Sequence, residues 1–172
     1  MNGEPEKADS FTQASLYLHL MMLVSESTCF LAIHLREKEI CQQTIARVDA
    51  VMELYHIEKL NPNIAAGFYF QAAVYYALCD ESEEAVRRLK QYVDTVCFLL
   101  NHGMIHGDSY FTKMDRWVEE LDLGSQMPRS SILVIQSAKE CLKHPAFDGL
   151  RDRKEFMRLI EKISKMEENI SS

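Results

Sequence analysis

Two of the six histidines, His102 and His106, stand four residues apart, with Asp108 two positions further on and Cys97 five positions before His102. Four-residue spacing puts two imidazoles on one face of a helix, as a metal pair requires, and a thiol beside an imidazole is the raw material of a nucleophile. The intervening residues argue against both. Gly103 and Gly107 lie within and beside "NHGMIHGDSYF", residues 101–111, so the stretch reads as non-helical, and no third ligand stands nearby in sequence. A simpler reading is a helix C-terminus at Asn101 to Gly103, a linker turn, and Asp108 capping the next helix. No catalytic residue and no metal ligand is assigned.

Other chemistry-bearing groups read as packing or solvated surface. Trp117 with Tyr110 and Phe111 could wall a ligand pocket, but aromatics at helical spacing belong to a core. Asp115, Glu119, Glu120 and Asp122 read as a solvated face, and the nine methionines, Met21 and Met22 among them, as core filling. The chain carries no G-x-S-x-G, glycine-rich phosphate loop, H-E-x-x-H or C-x-x-C. The expectation is a protein that is not an enzyme and needs no cofactor.

Composition narrows the class. The chain has 172 residues, 47% hydrophobic and 26% charged, a balance suited to one soluble domain with a sizeable core. A net charge of -7 and the absence of any Lys/Arg run argue against direct grip on nucleic acid by this chain. Five cysteines, odd in number and scattered among apolar residues, fit free thiols in a reducing cytoplasm. The apolar run Leu16 to Val24 contains His19 and is too short to span a bilayer, so no secretion or membrane insertion is expected.

Glycine and proline are scarce, which favours helices over many short strands. Residues 1–9 read as a disordered tail and 10–172 as one helical domain. A capping box at Ser10 and Gln13 should open a first helix running to about Arg36, with "SEST" at 25–28 as a break. Its apolar segment is hydrophobic nearly all round and should be covered by other helices. A second, amphipathic helix follows from Ile40, and a third opens at the Asn61-Pro62 cap and runs to Cys79. A fourth has Ser82 as N-cap, with Glu83–Arg87 and Glu84–Arg88 as surface pairs. Tyr110, Phe111, Met114, Trp117, Val118 and Leu121 make a fifth stripe, closed by Gly124 and Pro128. A sixth spans about Ser130 to Lys143, and a last one follows Asp152. The predicted fold is all-α: about seven helices in antiparallel hairpins, stacked as a superhelix or bundle.

Residues 66–99, "AGFYFQAAVYYALCDESEEAVRRLKQYVDTVCFL", resemble a tetratricopeptide hairpin: Tyr69, Ala72, Ala73 and Tyr76 on the first helix, Ala85 and Leu89 on the second. The pattern departs at Asp80, where glycine is usual, and at Tyr92, where alanine is usual. In such a stack the groove is lined by the first helix of each hairpin, here Phe70, Gln71 and Val74. The amide of Gln71 can hydrogen-bond a peptide backbone, or equally satisfy a neighbouring helix end.

A wider resemblance covers about residues 29–163. The succession "YFQAAVYYAL", "HGDSYFTKMDRWVEELDLGSQMPR" and "HPAFDGLRDRKEFMRLIEKI" is similar to the C-terminal tetratricopeptide-like region of Xre-type helix-turn-helix transcriptional regulators of Firmicutes-like bacteria. That resemblance implies a cytoplasmic sensor or dimerisation module, working as a dimer on a peptide or protein ligand. DNA would be reached only through a helix-turn-helix domain that this chain lacks, since its first helix is too apolar to read a groove. The rival expectation is a stand-alone interaction adaptor with no DNA link.

Overall fold

The computed structural model describes residues 4–103, 105–120 and 130–171. Among them there is no strand. The chain folds as α1 (Glu4–Ile33), α2 (Lys38–Leu54), a single-turn α3 (Ile57–Leu60), α4 (Pro62–Leu78), α5 (Ser82–His102), α6 (Met114–Glu120), α7 (Ser131–Leu142), a 3-10 turn (Pro145–Leu150) and α8 (Lys154–Ser171). The all-helical class is as the sequence indicates.

α4 and α5 form the central hairpin, since the short turn between them leaves only an antiparallel return. α1 lies on the far side of α4 with α2 beside it, and α8 and α7 continue the succession beyond α5. Buried side chains from Ala14 to Ile163 join in one core. Small residues set its spacing: Ala65, Ala66, Ala72 and Ala73 of α4 are buried, so neighbouring backbones come close, while Phe68 and Tyr75 fill the space between them. Burying a side chain such as Phe68 contributes roughly 1.5–3 kcal/mol.

Local rules explain the best-read boundaries. Asn61 caps α4, its Oδ1 accepting the N–H of Ile64 at 3.2 Å with Pro62 in the first turn. Ser130 caps α7 through Leu133 N–H. Asp80, where a tetratricopeptide hairpin has glycine, sits at φ +59°, so the left-handed turn is made with aspartate, one of the few side chains that tolerates it. Tyr92 is buried against Phe70.

Three expected boundaries are corrected. α1 begins at Glu4, so residues 4–9 are helical rather than a tail, and Ser10 lies inside the helix instead of capping it. Gln13 turns to other partners: its amide donates to Asp9, and its Oε1 accepts the N–H of Lys113 at 3.0 Å. The break expected at "SEST" is absent, because Thr28 returns its hydroxyl to the carbonyl of Val24 at 2.8 Å and the helix runs on. Ser82 is the first residue of α5 rather than its cap, which is Glu81. The expected stops at Gly124 and Pro128, with Leu121 and Asp122, lie outside the described residues.

The unbroken α1 also changes the membrane reading. Pro5–Ile33 is by length and composition long and apolar enough to cross a bilayer, where the nine-residue run alone is not. Its inner face belongs to the core: Tyr17, Met21, Val24 and Leu31 are each 5% exposed or less. Its outer face is open, with Phe11 and Ile33 both 77% exposed and Met22 54%.

Candidate functional site

The histidine segment is structural in its contacts. Gly103 closes α5 at φ +92°, and Gly107 is required because a Cβ there would meet the Phe111 carbonyl oxygen at 2.6 Å. Asp108 Oδ1 accepts the N–H groups of Tyr110 and Phe111 at 2.8 Å each, so it caps the turn leading towards α6 rather than α6 itself. Asp115 reaches back to accept Gly107 N–H at 2.7 Å. His102 stacks on Phe98 with ring centroids 4.1 Å apart and donates Nδ1–H to the Phe98 carbonyl. His106 donates Nε2–H to the Gly103 carbonyl at 3.2 Å. Among the described residues no three His, Cys, Asp or Glu side chains gather as metal ligands.

The thiol nearest the histidines, Cys97, is held by packing. All five cysteines are free. Burial pushes the Cys97 thiol up from its ordinary value, against the opposing pull of Lys162, and its Sγ lies 3.0 Å from Met166 Sδ. A protonated thiol on a thioether is a packing contact.

Phe70, Gln71 and Val74 occupy the α4 face turned towards the second half of the chain. Val74 is buried, while Phe70 is half-buried among Tyr92, His144 and Phe147 at centroid distances of 5.8–6.0 Å. Gln71 is half-buried beside them. The covering side chains come from α5 and the 3-10 turn. Trp117 is half-buried against the core, Met21 lies inside and Met22 outside.

The most developed polar site lies elsewhere. A cavity of about 400 Å³ is walled by Asp49, Met52 and Glu53 of α2, His56, Glu58 and Lys59 around α3, Tyr69 of α4, and Arg87, Arg88 and Gln91 of α5. Arg88 is its anchor. The sequence reading set Arg88 in a surface pair with Glu84, yet Arg88 is 2% exposed and Glu84 binds Arg87 instead, Nη2 to Oε2 at 2.6 Å. Both ends of the Arg88 guanidinium donate to the Asp49 carboxylate, Nη1 to Oδ1 at 2.6 Å, and the group lies 5.8 Å from the Phe68 ring centroid and 5.9 Å from that of Tyr76. Burial opposes its charge, but the hydrogen bonds and charge of Asp49, joined by Tyr76, together outweigh that and hold the guanidinium protonated. Arg88 Nε is buried without a hydrogen-bond partner among the described residues.

A second buried contact shapes the wall beside it. Tyr69 donates its hydroxyl to Glu58, and burial followed by that carboxylate pushes the phenol pKa up. His56, between α2 and α3, adopts the left-handed region at φ +50°, a conformation costing about 1–2 kcal/mol for a residue with a Cβ. The periodicity of α5 carried the signal for Arg88: Ala85, Leu89, Tyr92 and Val96 mark the inner face, and position 88 falls between Ala85 and Tyr92 on that face.

No protein-family model, curated protein or solved structure matches the chain. The likeness to helix-turn-helix regulators therefore rests on the residues quoted for it alone.

Proposed function

We propose that the chain is a non-catalytic regulatory module that binds a peptide or small ligand and converts occupancy into a change of helix packing. The observation that carries this reading is the Arg88 cavity, whose polar groups come from α2, α3, α4 and α5. A ligand bridging those helices favours one packing over another by its differential affinity for the two. Recognition rather than reaction is the better use of the lining, because Arg88, Tyr69 and Gln91 are already tied to Asp49, Glu58 and Arg87, leaving Lys59 and Glu53 at the wall to meet a ligand of mixed polarity. On the resemblance of "HGDSYFTKMDRWVEELDLG" such a module serves a cytoplasmic bacterial transcriptional regulator, with DNA contacted by a helix-turn-helix domain and not by these helices.

The test is thermal unfolding of the chain with free amino acids and dipeptides. At least one should raise the Tm, and Gln91→Trp, which fills the cavity without touching the Arg88–Asp49 pair, should abolish that rise. If nothing shifts the wild type, or the shift survives the filled cavity, ligand sensing at this site is wrong. A second reading, a protein-interaction adaptor with no DNA link, draws on the open apolar face of α1.

A further inference from the structure

We infer that the outer face of α1 is the docking surface for a second copy of this chain, the two α1 helices lying antiparallel about a two-fold axis between Met22 and Leu23. This surface is independent of any ligand in the Arg88 cavity, which α1 does not line.

The area comes first. Phe11, Leu16, Leu18, Met22, Leu23, Phe30 and Ile33 are each 45–77% exposed. At roughly 200 Å² per large side chain they present on the order of 800 Å², the share one partner gives to a standard interface. That exceeds the ~300–600 Å² of the largest apolar patch on a typical monomer. At 3.6 residues per turn they fall within a sector of about 160°, along about 33 Å of helix.

The centre of that sector has a register. Thr12, Ser15, His19, then either Met22 or Leu23, Glu26, Phe30 and Ile33 follow one another at three- and four-residue steps, the seam spacing of a helix pair. Between Asp9 and His34, His19 and Glu26 are the only Asp, Glu, Lys, Arg or His residues, and both are exposed on this seam. Antiparallel pairing about Met22 and Leu23 places His19 against Glu26 of the second copy, twice by symmetry. The same register sets small against large, Ser15 facing Phe30 and Thr12 facing Ile33 of the second copy. Parallel pairing would instead set Glu26 against Glu26 and His19 against His19. The His19 ring is already fixed by its Nδ1, 2.7 Å from the Ser15 carbonyl, which leaves Nε2 as the nitrogen for a carboxylate. Beside the seam, a groove of about 580 Å³ between α1 and α2, bordered by Phe30, Ile40 and Thr44, gives a partner's side chains somewhere to enter.

A bilayer is the weaker occupant. Crossing it would strip Tyr17, Met21, Val24 and Leu31 from the core, and a chain of net charge -7 is repelled by an anionic surface.

Sedimentation equilibrium of the full chain tests the inference. The wild type should be a dimer. Met22→Glu, which sets two carboxylates together at the axis, should weaken it about 30-fold or more while leaving the far-ultraviolet spectrum unchanged. Glu26→Lys should weaken it about tenfold, and the double variant His19→Glu/Glu26→Lys should restore it, a reversal that a merely structural effect would not produce. In a Cys29→Ser background, mild oxidation should cross-link Thr12→Cys/Ile33→Cys between chains and leave each single variant uncoupled. A wild type monomeric at ~100 μM, a dimer indifferent to Met22→Glu, cross-linking of the single variants, or tight binding to phosphatidylcholine vesicles would each overturn it.

Discussion

α1 and α4 are both apolar almost all the way round, and the molecule treats them oppositely. α4 buries nine residues, from Pro62 to Tyr75, between α1 and α5. α1 buries a single inner stripe and leaves large side chains outside on the other half. Residue size tells the two apart. α4 spends four of its buried positions on alanine, so two neighbours close on it, whereas the outer half of α1 carries Phe, Leu, Met and Ile. Hydrophobic composition sets how much burial a helix needs; the arrangement of small residues decides how much of it the same chain can provide.

The sharpest way to break the comparison is truncation of a matched pair. Phe68→Ala in α4 should cost about 3–5 kcal/mol of unfolding free energy in urea. Phe30→Ala, on the outer half of α1, should stay within about 0.5 kcal/mol at concentrations where the chain is monomeric. Equal losses would mean that the outer face is covered within one molecule.

Next in size is the polar contact on the flank of α4. Asp49→Ala leaves the Arg88 charge buried and unpaired and should cost about 3 kcal/mol or more, while Arg88→Met, which leaves a carboxylate that still reaches water, should cost clearly less. Chemical denaturation of both variants checks the asymmetry, and equal losses would show the pair to be as wet at Arg88 as at Asp49. Ala73→Leu should then overpack α4 at about 1–3 kcal/mol, with Ala32→Leu on α1 near zero by the same measurement.

The smallest effect concerns Tyr17, where α1 is as buried as α4. Its hydroxyl donates to the Leu60 carbonyl at 2.9 Å, and burial, opposed by Asn61, pushes its pKa from 10.0 up to about 12. The fold therefore holds the neutral phenol while the unfolded chain gives up its proton earlier. The stability this contributes is complete below about pH 10 and drains away as pH rises through 12. Denaturation midpoints of wild type and Tyr17→Phe between pH 9 and 12 should show a shallower alkaline slope in the variant. The slope should not vanish, since burial raises Tyr69, Tyr75 and Tyr92 in the same sense.

Much of the fold was legible where one residue does one local job: the Asn61 cap and the Gly103 stop act within a few positions of themselves. α3 was missed because one turn, Ile57 to Leu60, is too short to show a period. Ser10 and "SEST" misled because a hydroxyl ends a helix only where the chain has somewhere better to go; inside α1 the core contacts of Tyr17 and Val24 hold the helix straight through. Arg88 was misplaced because neighbour rules saw Glu84 four residues away, while the phase of α5 pointed it at Asp49, 39 residues upstream. The cavity is the least legible feature. Its lining is drawn from positions 49 to 91 on four helices, and no local motif binds them together.

One consequence of the α1 contacts concerns time during synthesis. Tyr17 waits for Leu60, 43 residues later, and Gln13 for Lys113, 100 residues later. At translation rates of about 5–20 residues per second, those delays are roughly 2–9 s and 5–20 s. Through that interval the nascent chain displays an apolar helix with neither face covered, so the segment from Leu16 to Val24 is a surface it offers to nascent-chain chaperones.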